Sequence, residues 1–354
     1  MTQFDVALAS LIEERVRAAP IDGRYGNLGL LSADGHTSLV FEAEDLRTTR
    51  RVVLKFLKPS SNQYRADCFR REVQVTRALV GHRNIVQIAG AAGDYVLHIQ
   101  DSLTGIPIQL ALPFFAMERA RSDFAALLIG AHRKPRTLVR RLEVVRDVVL
   151  GVIRLHHVGY CHRDLKPDNI LLFQQGVAKL GDLGTCRRHD GSEPFAGEYF
   201  DPPGNRNYAA PEMFNGGANI PALYRGGDWF SVGAVLFEAV TGQNLYVAIG
   251  LTGVAEVVQA LQFGGTLNEF TNRVGETAGK YPIPSSWGFL GESWMHAVSD
   301  RTHQQLTGLM QDLCHFDYRR RLTDGRRILQ RLDLTLALAR QDAARQFARR
   351  RRVL

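Results

Sequence analysis

The sequence predicts an α+β fold in two parts: a small, mostly antiparallel sheet that carries one main helix, and a larger helical part. Up to Met117, short β-prone runs alternate with Gly-rich or charged turns. Beyond Glu118, apolar residues recur at the three- and four-residue spacing of helices. Strands that precede helices, rather than alternating with them, favour the α+β class.

The first part is predicted as a helical extension, residues 1–27, and a sheet-rich region, residues 28–118. Apolar residues at helical spacing predict a helix from Phe4 to Ala19, which Pro20 ends. The sheet-rich region is predicted to contain one helix, at Ala66–Leu79, and strands at Leu39–Phe41, Val52–Phe56, Ile85–Ile88 and Leu110–Met117.

The helical part is predicted over residues 119–335, with the join between Glu118 and Asp123. Long periodic segments predict helices at Leu138–His156 and Trp229–Thr241. Residues 243–302 are Gly-rich and polar with poor periodicity, so we expect an irregular insertion there, which is either a docking surface or a packed connector. Residues 336–354 are predicted as a basic C-terminal helix or tail, helical to about Ala348.

The composition is that of a folded globular protein, with 45% apolar and 23% charged residues. The net charge is +8, but nine arginines and two aspartates from Arg326 onward contribute +7 of it. The basic pI is therefore weak support for nucleic-acid binding by the rest of the chain. We expect the Arg-rich end either to be solvated or to bind an acidic partner, nucleic acid or an anionic membrane surface.

The cysteines indicate a reducing, cytoplasmic setting. The four are scattered without CxxC spacing, which argues against a zinc site or a disulfide framework. No signal peptide is expected, because the N-terminal region lacks a basic segment followed by an apolar run. The longest uncharged stretch, Ala239–Ala255, is interrupted by Gly and amide residues, so no transmembrane segment is expected.

The run His162–Asn169, HRDLKPDN, carries most of the functional prediction. It places a potential base, a cation and a metal-binding amide within a few residues, a grouping suited to phosphoryl transfer. Residue for residue it resembles the catalytic loop of eukaryotic-like Ser/Thr protein kinases. The resemblance extends over about Leu30–Leu334 and implies a two-lobed protein-kinase-like fold that uses ATP and Mg²⁺.

The resemblance assigns roles to individual residues. Asp164 matches the base that accepts or orients the substrate hydroxyl proton, and Lys166 matches the lysine near the transferred phosphate. Asn169 matches one magnesium ligand. Thirteen residues later, Gly181-Asp182-Leu183-Gly184 resembles the DFG element with Leu in place of Phe, which makes Asp182 the second magnesium ligand.

Upstream, Val52-Val53-Leu54-Lys55 resembles the V-A-I-K strand, so the resemblance makes Lys55 the anchor of the α- and β-phosphates. Glu72, on the predicted helix, would pair with Lys55. The phosphate-covering loop matches least well, since its three glycine positions hold Ala33, Gly35 and Ser38. We expect ATP to bind, with a stiffer loop.

The remaining nucleotide contacts also come from the resemblance. Val40 and Val53 on one side and Leu171 on the other would sandwich the adenine. Backbone groups from Glu118 to Ala120 would meet its edge, and Asp123 would contact the ribose.

Scaffold motifs favour a protein substrate. Glu212, in an APE-like element, would pair with Arg321, and Asp228 would brace the catalytic loop. Lys166 favours Ser or Thr as the acceptor. Asn205 replaces the threonine of many Ser/Thr kinases, so an amide replaces the hydroxyl expected to touch Asp164 and Lys166.

The charge on Arg163 raises a question of activation, because a phosphorylated activation-loop residue commonly faces this arginine. We hypothesise that Asp201, with Glu198, supplies a fixed negative charge instead; solvated loop carboxylates are the alternative. Two other functions stay open for the chain: a nucleotide-binding, pseudokinase-like scaffold, suggested by the eroded glycine loop, and a kinase of a small-molecule hydroxyl.

Overall fold

A computed structural model of the protein describes residues 3–35, 37–100, 105–129, 135–192, 204–214, 219–248 and 298–351. The chain forms two compact units. The first comprises Met1–Arg121 and Asp182–Gly184, and the second comprises Ser122–Gly181 and Thr185–Leu354.

Among its described residues, the first unit contains a five-stranded antiparallel sheet and two helices. The strand order is β1-β2-β3-β5-β4. In chain order the elements are α1 (Gln3–Ala18), β1 (Tyr25–Ser32), β2 (Ser38–Asp45), β3 (Arg50–Leu57), α2 (Gln63–Ala78), β4 (Ile88–Gln100) and β5 (Pro107–Glu118).

Helix α1 is part of the core of this unit. Its apolar stripe, which includes Ile12 and Val16, is buried in one cluster with Phe41, Phe56 and Phe114 from the sheet. The rings of Phe56 and Phe114 stack with centroids 5.5 Å apart. Because burial of apolar area stabilises a fold by roughly 25 cal/mol per Å², the docked helix contributes to the stability of the sheet.

The strand expected at Ile85–Ile88 is a wrong prediction, since β4 begins only at Ile88 and runs to Gln100. The apolar residues Ile85 and Val86 are buried in a loop instead. Gln87 supplies hydrogen bonds to the backbone of this segment, because its side-chain amide donates to the carbonyl oxygens of Leu79, His82 and Ile85. A buried loop whose carbonyl groups are hydrogen-bonded can contain the same apolar, β-prone residues as a strand, so the composition of this segment did not distinguish the two.

The second unit is mainly helical. Its strands are β6 (Ser122–Asp123), β7 (Tyr160–Cys161), β8 (Ile170–Leu172), β9 (Ala178–Leu180) and β10 (Arg187–Arg188). Its helices are α3 (Phe124–Ile129), α4 (Pro135–His157), α5 (Pro221–Thr241), α6 (Leu245–Ala248), α7 (Asp300–Leu313) and α8 (Gly325–Arg351). Short 3-10 turns in the described residues lie at Pro167–Asn169, Leu183–Thr185 and Pro211–Phe214.

Helix α5 is the centre of this unit. From Gly227 to Phe237 every residue is buried, as expected for a helix that is apolar on all sides. It packs on α4 and α7, and α8 packs on the same two helices. Gly242 ends α5 in the left-handed conformation, with φ +74°.

Helix α8 runs without a break through residue 336, where the sequence analysis placed the start of a separate basic C-terminal helix or tail. Leu332, Leu336 and Ala339 are buried along it. Asp342 accepts hydrogen bonds from Ser299, at the N-cap of α7, and from Thr302. Residues 249–297, most of the predicted insertion, lie outside the described part of the chain. No helix in the described ranges combines the length and apolar character needed to cross a bilayer.

Candidate active site

Lys55, Glu72 and Asp182 meet within the first unit. Lys55 lies in β3, where its neighbours across the sheet are Val40 and Phe115. Its Nζ donates to Glu72 Oε2 at 2.7 Å and to Asp182 Oδ1 at 3.2 Å. The two carboxylates come from α2 and from a segment far along the chain, so the fold brings together groups that the sequence separates by 17 and 127 residues.

The charges of this trio depend on burial. Burial disfavours the charged form of Lys55, but the carboxylates of Asp182 and Glu72 outweigh that effect and raise the Lys55 pKa. For Glu72 burial is the largest influence, and it raises the pKa of the carboxyl to about 7 against the opposing effect of Lys55. Lys55 therefore stays an ammonium that can hold an anionic ligand.

The Asp182-Leu183-Gly184 segment is held against α2. Arg71 donates to the carbonyl oxygen of Gly184 at 3.4 Å, and a Cβ at Gly184 would lie 3.0 Å from the carbonyl oxygen of Cys68. Leu183 is buried at the position where the DFG element of the resemblance has Phe. Asp182 itself adopts φ +54°, a left-handed conformation that Asp tolerates better than most residues.

In the second unit, Asp164, Lys166 and Asn169 form one hydrogen-bonded group. Asn169 Nδ2 donates to the carbonyl oxygen of Asp164 at 2.8 Å and to its Oδ2 at 3.0 Å. Lys166 Nζ lies 3.5 Å from the same Oδ2. The 3-10 turn at Pro167–Asn169 returns the chain so that Asn169 reaches back to Asp164. The arrangement holds a carboxylate beside a cation and an amide.

Asp228 fixes the backbone that carries Asp164. Its Oδ2 accepts the N–H of His162 and its Oδ1 accepts the N–H of Arg163, both at 2.8 Å. His156, on α4, bonds Asp228 Oδ2 at 2.8 Å and was not found by sequence reasoning. Burial opposes ionisation of Asp228, but the hydrogen bond with His156 and the neighbouring groups outweigh it and lower the Asp228 pKa. The charged carboxylate of Asp228 thus accepts three hydrogen bonds.

Arg163 is held in a strained conformation. Its φ is +70°, in the left-handed region that a long side chain rarely adopts. The two backbone bonds to Asp228 fix this segment, and the guanidinium carbon lies 4.3 Å from the ring centroid of Tyr224. Strain that the surroundings fix in this way is typical of functional segments. Asp201 and Glu198, the hypothesised counter-charges of Arg163, lie outside the described residues.

Gly204 and Asn205 contact Asp164 through backbone atoms. The N–H of Asn205 donates to Asp164 Oδ1 at 2.7 Å, while the Asn205 side-chain oxygen accepts the N–H of Asn207. Asn205 therefore contacts Asp164 through its backbone N–H, whereas the resemblance has a threonine side-chain hydroxyl in this role. Gly204 adopts φ +92°, and a Cβ there would lie 2.5 Å from the carbonyl oxygen of Arg163. Only glycine permits this approach.

Glu212 and Arg321 form a fully buried ion pair in the second unit. Arg321 Nη1 donates to Glu212 Oε1 and to the carbonyl oxygen of Gly226, and Nη2 donates to Glu212 Oε2 at 3.0 Å. Arg321 Nε donates to the carbonyl oxygen of His315. The geometry is bidentate, and the guanidinium has a partner at each nitrogen, as a buried charge requires.

The loop positions aligned with glycines differ in environment. Ala33 is buried just after β1, and Gly35 is exposed with room for a Cβ 3.5 Å from the carbonyl oxygen of Ser38. Ser38 is the first residue of β2, paired with Leu57, and its hydroxyl oxygen is buried without a hydrogen-bond partner among the described residues. The connection that covers phosphate in the resemblance therefore lies here between β1 and β2, with Ala33 at its start and Thr37 at its end.

The predicted adenine and ribose contacts fall in both units. Val40 and Val53 lie on β2 and β3. At the end of β5, Glu118 N–H donates to the carbonyl oxygen of Gln87, and the carbonyl oxygen of Ala120 accepts from Arg119. In the second unit, Leu171 pairs with Asp123 in a short sheet, and Asp123 Oδ1 accepts the N–H of Ala126 and caps α3.

Comparison with known proteins identifies the family. A model described as protein kinase domain matches residues 32–332. A probable cell division protein kinase of Encephalitozoon cuniculi is 28% identical over 220 residues, which are 62% of this chain and 72% of the relative. Cyclin-dependent kinase F-3 of Oryza sativa is 27% identical over 298 residues, 82% of this chain and 60% of the relative. A probable serine/threonine-protein kinase, PknB, of Bifidobacterium longum is 30% identical over 246 residues, 66% of this chain and 33% of the relative. The chain belongs to the protein kinase domain family.

Proposed function

We propose that the protein is an ATP-dependent protein kinase that transfers the γ-phosphoryl group of MgATP to Ser or Thr hydroxyls of protein substrates. The observation that carries the proposal is the group formed by Asp164, Lys166 and Asn169. The family membership and the names of the relatives, which include serine/threonine-protein kinases, support it.

Phosphoryl transfer needs little covalent chemistry from the protein, so catalysis depends on positioning and on charge. Asp164 Oδ2 accepts or orients the proton of the substrate hydroxyl. Lys166, whose Nζ lies 3.5 Å from that oxygen, stabilises negative charge on the transferred group. In the first unit, Lys55 binds the α- and β-phosphates, and Glu72 holds its ammonium in place.

The residues present fit magnesium. Asp182 offers a carboxylate that is 47% exposed, and the NH₂ group of Asn169 is engaged by Asp164, which leaves the amide oxygen as the end that can coordinate a cation. Carboxylate and amide oxygens are the ligands that this hard cation prefers. When bound, Mg²⁺ supplies positive charge to the phosphates of ATP.

A peptide substrate is favoured over a small-molecule hydroxyl by the Glu212–Arg321 pair. This pair fixes the segment Tyr208–Glu212, which closes the activation segment in the resemblance, and the Asn205 N–H bond ties the same region to Asp164. The structured surface next to the base is suited to a polypeptide. A small-molecule kinase would need neither element.

A non-catalytic scaffold is disfavoured by the full set of chemical groups. Lys55, Asp164, Asn169 and Asp182 are all present, and their side chains are hydrogen-bonded to one another within each unit.

A cytoplasmic setting is supported by the four cysteines, which are all buried as thiols. An acidic partner or an anionic surface for the Arg-rich end rests on composition alone.

The test is incubation of the purified chain with labelled ATP, Mg²⁺, a generic protein substrate and a metabolite mixture. Label on Ser and Thr of the protein substrate is the expected result. Label only in metabolites would identify a small-molecule kinase. Nucleotide binding without transfer would identify a scaffold.

Two variants connect the activity to the site. Asp164→Asn removes the base and is expected to abolish transfer while ATP binding stays within about twofold of wild type, because base and nucleotide contacts are separate groups. Lys55→Met is expected to weaken ATP binding itself. Asp333→Asn, which removes a carboxylate paired with Arg146 on the helical surface, is the matched control and should leave transfer unchanged.

A further inference from the structure

Lys58 holds two segments that the sequence places far from it. It follows β3 directly, and its side chain is only 6% exposed. Its Nζ donates to Asp5 Oδ2 at 3.0 Å and to the carbonyl oxygen of Ala33 at 2.7 Å. A buried ammonium requires such partners, because the desolvation of an unpaired charge is costly.

The backbone of Lys58 holds the other end of the β1–β2 connection. Its N–H donates to the carbonyl oxygen of Thr37 at 2.9 Å, and the hydroxyl of Ser61 reaches the same oxygen at 3.3 Å. Ala33 and Thr37 are the first and last residues of the connection between β1 and β2. One residue therefore fixes both ends of the segment that the resemblance assigns to covering phosphate.

Helix α1 completes the arrangement. Asp5 lies in its first turn and is buried, so its carboxylate is directed into the fold at Lys58. Further along α1, Glu13 Oε1 accepts the N–H of Leu30 on β1 at 2.6 Å. The helix thus contacts β1 directly and the β1–β2 connection through Lys58. It precedes the region matched by the family model, which begins at residue 32.

The same strand carries the proposed phosphate ligand. Lys55 lies three residues before Lys58, and β2 and β3 are in continuous register, with Val40 opposite Lys55 and Ser38 opposite Leu57. Anchoring the connection at Lys58 fixes its ends relative to Lys55. Preorganisation of this kind increases affinity by reducing the ordering cost of binding.

We infer that helix α1 is a positioning element for the nucleotide, which acts through Asp5 and Lys58 on the connection between Ala33 and Thr37. The inference rests on the proposed use of MgATP. Lys58 and Asp5 are positioning residues, since they act through the backbone of the connection. Loss of the Lys58 ammonium, or of the Asp5 carboxylate that orients it, frees the Ala33 carbonyl and lowers the affinity for ATP, while the phosphoryl-transfer group in the second unit is unchanged.

The experiment measures ATP KM, kcat and MgATP Kd in full-length Lys58→Met, Asp5→Asn and the double variant Asp5→Leu/Lys58→Met. For Lys58→Met we expect KM and Kd for ATP to rise about tenfold with kcat changed less than about twofold. Hydrogen exchange in peptides spanning residues 30–40 should become faster. The double variant removes the ion pair without leaving a buried charge, so its stability should recover towards wild type while its ATP KM stays raised.

The matched control is Arg24→Met, which breaks the ion pair with Asp45 at the other end of the β1–β2 hairpin. It should lower stability without changing ATP KM. The inference is overturned if folded Lys58→Met binds MgATP as tightly as wild type, or if ATP KM in the double variant recovers together with stability. Failure of the wild-type protein to bind MgATP would overturn the proposed function and this inference with it.

Discussion

Glu72 meets Lys55 with one carboxylate oxygen only. Its Oε2 lies 2.7 Å from Lys55 Nζ, while Oε1 is buried and has no hydrogen-bond partner among the residues that the structure describes. A carboxylate that is half satisfied and out of water favours its protonated form. This agrees with the direction in which burial moves the Glu72 pKa, to about 7 from a usual value of 4.5.

The raised Glu72 pKa predicts a pH dependence of stability. Between pH 4.5 and about pH 7 the folded state binds a proton that the unfolded state has lost. The contribution of Glu72 to stability is therefore fully present below pH 4.5 and is lost as the pH rises through about 7. We expect the free energy of unfolding to fall by on the order of 1–3 kcal/mol through this group between about pH 5 and about pH 8. Denaturant titrations of wild type and Glu72→Gln at both pH values check this, because the neutral variant should lack that decline. Parallel pH profiles in the two proteins would contradict it.

The contact of Gly204 with the catalytic loop predicts a loss of activity in Gly204→Ala. The new Cβ would lie 2.5 Å from the Arg163 carbonyl oxygen and 3.1 Å from Asp164 Oδ1, so the base must move. We expect kcat to fall by at least about tenfold, since small misplacements of reacting groups are costly. Gly242→Ala is the matched control, because it has a similar φ of +74° but nothing within 4 Å of the new Cβ. It should lose stability by about 1 kcal/mol and keep its kcat.

Much of the fold and of the site could be predicted, because the residues that form each motif or helix lie close together in the sequence. The catalytic-loop motif lies within the run His162–Asn169, and Asp182 follows at a fixed short spacing, so both could be recognised from neighbouring residues. Helical periodicity predicted the C-terminal ends of α4 and α5 to within a few residues. Of β4 only Ile88 was included in a predicted strand, because the first half, Ile88–Gly93, is rich in Ala and Gly and has no alternating pattern. It is a strand because it pairs with β5, a non-local contact.

Contacts between distant residues explain the other omissions. Asp5 and Lys58 are 53 residues apart, and His156 and Asp228 are 72 apart, so neither pair leaves a signal in a single sequence. The role of Gly204 was likewise invisible, because it depends on how close the backbone of Arg163 comes. Local motifs indicate which chemistry is present, while these long-range contacts determine how firmly it is held.

The bonds to Asp228 predict that Asp228→Asn impairs transfer more than nucleotide binding. An amide would offer one acceptor oxygen and one NH₂ group, and the NH₂ group cannot accept the N–H of His162 or Arg163. With one backbone bond lost, the strained Arg163 conformation is no longer fixed, and we expect kcat to fall by about a hundredfold. Steady-state kinetics, with MgATP Kd measured by calorimetry, check this. Equal losses in kcat and ATP affinity would argue for general unfolding instead.

The Glu212–Arg321 pair predicts a strongly non-additive double-mutant cycle. Arg321→Met leaves the Glu212 carboxylate buried without its bidentate partner, and Glu212→Gln leaves the Arg321 guanidinium without its counter-charge. Because both side chains are fully buried, each single variant should lose about 3–5 kcal/mol of unfolding free energy. The double variant Glu212→Gln/Arg321→Met contains neither buried charge, so it should lose less unfolding free energy than the sum of the two single losses.

Chemical denaturation of all four proteins measures the coupling, with the surface pair Arg340 and Glu143 as the control cycle. A coupling near zero for Glu212–Arg321, similar to that expected of an exposed pair, would mean that the pair does not stabilise the segment next to Asp164.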